Sequence, residues 1–194
     1  MSIDNTRTRI LDATKKLLVD KGEQATSMSL ISKVSQISMG SIYNLFDSKE
    51  ELITAVYIDC RDRLLKNCYD IPKDAYASPK TMLRCMNRSY LESALAHPYE
   101  FKLVTKYHLT PIIDCSIFYP SDFATEISDQ TIAFYTQQGI LKDLSPTILD
   151  FIPFGIINQI VKAHFSGFLE ITEEIKEKIY DVCWDAVATH IDSF

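Results

Sequence analysis

Ile37-Ser38-Met39-Gly40-Ser41-Ile42-Tyr43-Asn44-Leu45-Phe46 is the stretch whose reading decides the fold. Ser38 is a helix cap, since its hydroxyl can take a backbone N–H of the first turn. Gly40 stands in that turn. Ser41 and Asn44 put small polar groups on the face away from Ile42, Leu45 and Phe46. A short helix of this kind is built to approach a surface and poorly built to fill a core. Just upstream, Thr26 and Ser27 can cap another short helix carrying Met28, Leu30, Ile31 and Val34, and Ser35-Gln36-Ile37 makes the brief turn between the two. Two short helices in this order form a helix-turn-helix, whose second helix enters the DNA major groove.

Outward from this motif the chain reads as helix after helix. Ile10, Leu11, Thr14, Leu17 and Leu18 form the apolar stripe of a helix expected over about 6–21, with Gly22 in the place of a left-handed C-terminal cap. Ser48-Lys49-Glu50-Glu51 is a capping box that opens a long helix through Leu52, Val56, Ile58, Leu64 and Leu65. After a polar, proline-bearing break, Ser78-Pro79 starts a helix that runs to about Ala96 and ends before Pro98. Further helices are expected at about 99–108, 121–139, 146–168 (opened by Ser145-Pro146) and 172–192 (capped by Thr172), with a loop over 110–120. About nine helices and no convincing strand make an all-α chain. It divides into a three-helix head over 1–47, carrying the helix-turn-helix, and a helical body over 48–194.

Composition supports this reading. Hydrophobic residues are 46% of the 194, enough for a substantial core, and only five glycines interrupt the pattern. The net charge of −6 counts against a nucleic-acid partner, but it is unevenly placed. Residues 1–50 hold seven Lys/Arg against six acids, so the head is at +1 and the remainder at −7. The five cysteines lie far apart without a Cys-x-x-Cys, which points to buried free thiols rather than a metal site or a disulfide framework. The N-terminus is polar and charged, and no apolar run approaches ~18 residues, so a cytoplasmic protein with no membrane partner is expected. No Gly-x-Ser-x-Gly, His-Glu-x-x-His, phosphate loop or Rossmann glycine pattern is present, which argues against an enzyme and against a cofactor.

Residues 9–52 resemble the DNA-binding domain of the tetracycline-repressor (TetR) family of bacterial transcriptional regulators. The residues that carry the resemblance are Ile10-Leu11-Asp12-Ala13, Leu17, Gly22, Thr26, Ile31, Ser38, Gly40, Ile42-Tyr43, Phe46 and Lys49-Glu50-Glu51-Leu52. Thr26 or Ser27, at a helix N-terminus, can offer a hydroxyl and backbone N–H groups to a phosphate. Ser38 is first a cap. Gly40 lets the recognition helix lie close to DNA or to its partner helix. Ser41 and Asn44 can bond base edges or phosphates, and Met39 can meet a thymine methyl. The resemblance implies a phosphate-contacting role for Tyr43 and a backbone-contacting role for Lys49. Two departures stand out. Gln36 occupies a turn position where the family usually has Gly, and the recognition helix has no Lys or Arg of its own. Reading through A·T contacts and DNA shape is therefore expected.

For the body, the resemblance implies a pocket for a small effector, apolar or aromatic in character. Candidates to line it are Tyr90, His97, Phe101, Tyr107, His108, Gln130 and Phe134. Gly155, Gln159, Ala163 and Gly167 recur at spacing four beside Ile160, and the last helix offers Ile179, Val182 and Ala186. In the resembled family these helices pair across a two-fold axis into a homodimer, from which a palindromic operator follows. The implied function is a ligand-responsive repressor on double-stranded operator DNA. The alternative is a helical ligand- or partner-binding protein that has lost sequence-specific DNA binding.

Overall fold

The computed structural model describes residues 3–68, 70–114 and 123–189. Among them are nine α-helices and no strand: α1 (Ile3–Asp20), α2 (Met28–Ser35), α3 (Met39–Tyr43), α4 (Lys49–Leu65), α5 (Pro79–Ala96), α6 (Pro98–Tyr107), α7 (Phe123–Gln137), α8 (Pro146–Phe165) and α9 (Glu173–Val187). A short 3-10 helix, Lys73–Ala77, precedes α5. The expected loop beyond Asp114 and the end of the last helix beyond 189 fall outside the described residues.

The helices group into two compact units, 1–64 with 97–119 and 65–96 with 120–194. The head expected over 1–47 lies wholly in the first, which also takes in most of α4 and all of α6.

The first unit is built on α1. Its stripe of Ile10, Leu11, Leu17 and Leu18 packs with Ile31 of α2, Ile42 of α3, and Leu52, Ile53, Val56 and Tyr57 of α4. Leu103 and Tyr107 of α6 join the same core. Thr14, on the stripe but polar, is fully buried because its hydroxyl donates to the Ile10 carbonyl at 2.8 Å. The α2–α3 turn places Gln36 in the left-handed region at φ 56°, ψ 35°. A side chain there costs about 1 kcal/mol. The turn is held by Ser32, whose carbonyl accepts from the Gln36 N–H and whose hydroxyl donates to the Ile37 carbonyl at 2.6 Å. Arg9 reaches across from α1 and donates to the Ser35 carbonyl at 2.7 Å, satisfying one of the acceptors left at the end of α2.

One further link ties α1 to α6. Lys15 Nζ lies 2.7 Å from Glu100 Oε1 and 3.4 Å from Asp12 Oδ1, and the Lys15 and Glu100 side chains are only 14% and 10% exposed. Burial works against both charges, but the hydrogen bond and attraction between them prevail. Lys15 is held above its ordinary value and Glu100 below its own.

The second unit surrounds α5 with α8 and α9. Met82, Leu83 and Met86 of α5 meet Ile132 and Tyr135 of α7, Leu149 of α8 and Val187 of α9. The Tyr135 hydroxyl donates to the Tyr76 carbonyl at 2.7 Å. An antiparallel bridge, Leu141 to Ala188, pins the end of α9 to the chain after α7, and Lys142 Nζ donates to the Ala186 carbonyl. On the outer edge of α5, Arg84 lies over the Tyr180 ring of α9 and pairs with Glu177.

Candidate nucleic-acid interface

The helix-turn-helix is fastened from below by hydrogen bonds that the sequence motif predicts only in part. Ser27 caps α2, accepting from the Leu30 N–H, and stays exposed beside the Ser29 hydroxyl at 3.0 Å. Thr26 behaves differently. Its hydroxyl is turned inward, fully buried, and donates to the Gly22 carbonyl at 2.7 Å. Of the two hydroxyls offered as phosphate donors, that of Thr26 locks the α1–α2 loop, and that of Ser27 is the one left exposed. The neighbouring Glu23 carbonyl accepts from Lys49 Nζ at 2.7 Å. Lys49 therefore gives one of its three donors to the loop and keeps the others.

Helix α3 sorts its residues by face. Ile42 and Phe46 are buried, while Ser38, Gly40, Tyr43 and Asn44 are exposed, Tyr43 by 48%. Met39 and Ser41 are half-buried. Ser38 accepts the Ser41 N–H as a cap, and the two hydroxyls lie 2.8 Å apart, so Ser41 is already engaged with the cap. Gly40 is the most telling position. Its backbone is ordinary helix, and a Cβ added there would meet nothing within 4 Å. Neither conformation nor packing within the chain calls for a glycine, so the partner-helix explanation falls away. What glycine does provide is a bare patch of helix surface between exposed polar residues.

On α2, Ser29 and Lys33 lie one turn apart on the exposed side, opposite the buried Ile31 and Ser35. Lys33 adds a cation to this face that the motif alone does not single out, because nothing in the pattern separates it from an ordinary surface lysine.

Comparison with known proteins agrees with this geometry. Residues 10–56 match the family model described as bacterial regulatory proteins, tetR family. The head of this chain is thus similar to the DNA-binding domain of the TetR family. It is 42% identical over 60 residues to the HTH-type transcriptional regulator UidR of Escherichia coli (strain K12), a stretch covering 31% of this chain and 31% of that one. It is 39% identical over 57 residues to the uncharacterized HTH-type transcriptional regulator YhgD of Bacillus subtilis (strain 168), 29% of each chain. The chain thus spans under a third of the length of the curated relatives it matches, and the likeness lies in the head. The fold as a whole resembles a TetR family transcription regulator from Marinobacter aquaeolei VT8, with a TM-score of 0.82 at 23% identity, over 96% of this chain and 97% of that one.

The effector candidates are widely distributed. Phe101, Tyr107, His97 and His108 belong to the first unit. Phe101 is 1% exposed, and His97 sits exposed at the N-terminal end of α6. His108 Nδ1 is 3.0 Å from the Tyr57 hydroxyl, and burial lowers its pKa, which favours a neutral ring accepting from the phenol. The Tyr107 hydroxyl is buried with no hydrogen-bond partner among the described residues, and burial pushes its pKa up to about 12. Tyr90, Gln130 and Phe134 belong to the second unit, but Gln130 and Phe134 are exposed there. Of the seven, Tyr90 alone lines the cavity between α5 and α8, with Cys68, Leu83, Met86, Asn87, Asp150, Pro153 and Phe154. Its hydroxyl donates to Asn158 at 2.6 Å and its ring lies 4.4 Å from that of Phe154. That cavity has about 10 Å³ of room, the space of one water.

The candidate pairing residues differ in exposure. Gly155 and Gln159 are exposed on α8, and Ile160 and Ala163 are half-buried. Gly167 lies beyond the end of α8 at φ +72°, as a left-handed terminator, so it belongs to the cap and not to a stripe of close approach. Ile179 packs inside its own unit at 4% exposure, whereas Val182 is 53% exposed and Ala186 half-buried. Ile148 and Phe151, 46% and 37% exposed, extend the Gly155–Gln159 line by one turn at the start of α8. The smooth periodicity of an apolar helix hides which of its faces is left uncovered, and for that reason the sequence alone did not separate these two from the core.

Proposed function

We propose that the protein is a homodimeric, ligand-responsive regulator of transcription rather than an enzyme, acting as a repressor on a palindromic operator. The observation that carries this reading is the bare Gly40 surface on α3, flanked by exposed Ser38, Tyr43 and Asn44. Helix propensity disfavours a glycine there by about 0.5–1 kcal/mol, and the packing of the chain gives no compensation. Close approach to a groove would. Asn44, Ser41 and Met39 would meet base edges, with Ser27, Tyr43, Lys33 and Lys49 on phosphates. Two copies related by a two-fold axis would place their α3 helices in successive major grooves. The uncovered line of Ile148, Phe151, Gly155 and Gln159 on α8, with Val182 on α9, supports pairing of two copies. A small effector bound in the body would favour a state whose head spacing no longer fits DNA.

The absence of Lys and Arg from α3 favours a second reading, a helical ligand- or partner-binding protein without sequence-specific DNA binding. Fluorescence anisotropy separates the two. A regulator binds DNA from upstream of its own gene far better than random DNA at moderate salt, with affinity falling steeply as salt rises. Equal binding to both DNAs would sink the regulator reading.

A further inference from the structure

Near its start α1 carries two arginines that reach opposite ends of α3. Arg9 bonds the Ser35 carbonyl and so fastens the turn before α3. Arg7 lies over the ring of Phe46, just after α3, with its guanidinium carbon 5.7 Å from the ring centroid. Phe46 is 3% exposed and belongs to the core, while Arg7 is exposed. The guanidinium is therefore held on the surface of the head, beside the end of α3.

The distribution of charge singles Arg7 out. No Lys or Arg stands on α3, so a grip on phosphates must come from elsewhere in the head. Arg9 is engaged with Ser35, Lys15 with Glu100, and Lys49 gives one donor to the Glu23 carbonyl. Arg7 pairs with no carboxylate among the described residues, although Asp4 stands three residues before it and Asp47 directly follows Phe46. Its contact with Phe46 is a weak stabiliser at so exposed a place. What the stack does provide is orientation. It holds the guanidinium by its face and leaves the N–H groups of its edge to donate. That edge suits two oxygens of one phosphate, and a side chain already held loses less freedom on binding. Lys49 opens α4 three residues beyond Phe46, so Arg7 and Lys49 both attend the link that follows α3. Ser27 and Lys33 attend α2, which precedes it.

We propose that Arg7, from outside the helix-turn-helix, bonds a backbone phosphate of the DNA at the end of α3, its guanidinium set for that contact by the Phe46 ring. The proposal rests on the DNA-binding reading above. A phosphate contact carries no sequence information, so Arg7 adds affinity and fixes the position of α3 rather than choosing bases.

Fluorescence anisotropy of the full-length protein over a series of salt concentrations, on upstream and on random duplexes, tests this. Each phosphate contact adds about 0.9 to the slope of log affinity against log salt. Arg7→Gln lowers the slope by about 0.9 per head, or about 1.8 per dimer, and weakens binding about fivefold per head at about 0.15 M salt. The loss is the same on both duplexes. Arg7→Lys keeps the charge and keeps the slope. Lys66→Gln removes the same charge from an exposed residue outside the head and leaves the slope unchanged. Urea denaturation of each variant identifies a temperature at which all are folded, and binding is compared there. An Arg7→Gln slope equal to the native one, a Lys variant that behaves like the Gln variant, an equal fall in Lys66→Gln, or a loss confined to the upstream duplex overturns the proposal. Native protein that binds both duplexes equally loses the regulator reading, yet the Arg7 slope is still read on random DNA. A preference for upstream DNA with a slope indifferent to Arg7 keeps that reading and loses this one.

Discussion

Gly40→Ala separates the reasons for a glycine in α3, because they predict opposite signs. The added Cβ meets nothing within 4 Å, so it adds no strain to the free protein. Alanine loses less backbone entropy on entering a helix, and the variant should gain about 0.5–1 kcal/mol of stability per chain. On DNA the same methyl occupies the bare patch between Ser38, Tyr43 and Asn44. Pushing α3 back by part of an ångström loosens its base contacts, and each good base contact carries about 1–3 kcal/mol of discrimination. Affinity for the operator should therefore fall about 5- to 150-fold per head, while binding to random DNA, held by the flanking phosphate contacts, changes little. The assay is urea denaturation beside anisotropy on operator and random duplexes at one fixed salt concentration. A less stable Gly40→Ala protein would show that the glycine serves internal packing. A more stable protein with undiminished operator affinity would show that the α3 face does not lie against DNA.

Three other outcomes are expected. Gly155→Leu should leave the helix intact, since a Cβ there also meets open space, but raise the dimer dissociation constant by about tenfold or more in analytical ultracentrifugation, as overpacking of about 1–3 kcal/mol falls on both copies. Lys15→Met should cost about 2 kcal/mol, between the ~0–1 of an exposed pair and the ~3–5 of a buried charge left alone, and Lys15→Met/Glu100→Gln should recover much of it. The Glu100 pKa is depressed in the fold, so the stability it contributes is present above its unfolded pKa and lost as pH falls through the folded one; Glu100→Gln should flatten the acid limb of the stability profile below about pH 5. Tyr107→Phe removes a buried hydroxyl with no partner among the described residues, and should raise stability by about 1 kcal/mol in thermal unfolding.

The head was legible in the sequence because its signals are local. Caps at Ser27, Ser38 and Ser48, the left-handed Gly22 and the apolar stripe of α1 each act within a few residues, and each fixes one element boundary. At Gln36 the sequence left two outcomes open, a left-handed residue or a different turn, and the chain takes the first. Thr26 was not. Two hydroxyls stood side by side at a helix start, and only the path of the α1–α2 loop decides which of them turns in toward Gly22. The body was harder for a related reason. Its aromatics have no short-range signal of depth, so Phe101 at 1% exposure and Phe134 at 55% look alike in sequence. Asn87 and Asp150, which line a cavity, look like surface residues of amphipathic helices until α5 is laid against α8.

The five glycines tie these strands together. Gly22, Gly139 and Gly167 have positive φ, and turn geometry accounts for them. Gly40 and Gly155 do not; both sit in helices, both are exposed, and both leave open space where a Cβ would stand. A helical glycine that serves neither conformation nor internal packing lowers stability for no return within its own chain. Its return has to come from something outside that approaches closer than a methyl group allows. On α3 the neighbours of the bare patch are hydroxyl, phenol and amide groups, the chemistry of a hydrated, hydrogen-bonding surface such as a DNA groove. On α8 the neighbours are Ile148 and Phe151, the chemistry of another protein copy. The same omission of a side chain, read against its surroundings, thus supports the proposed DNA contact on one helix and the proposed pairing of copies on the other.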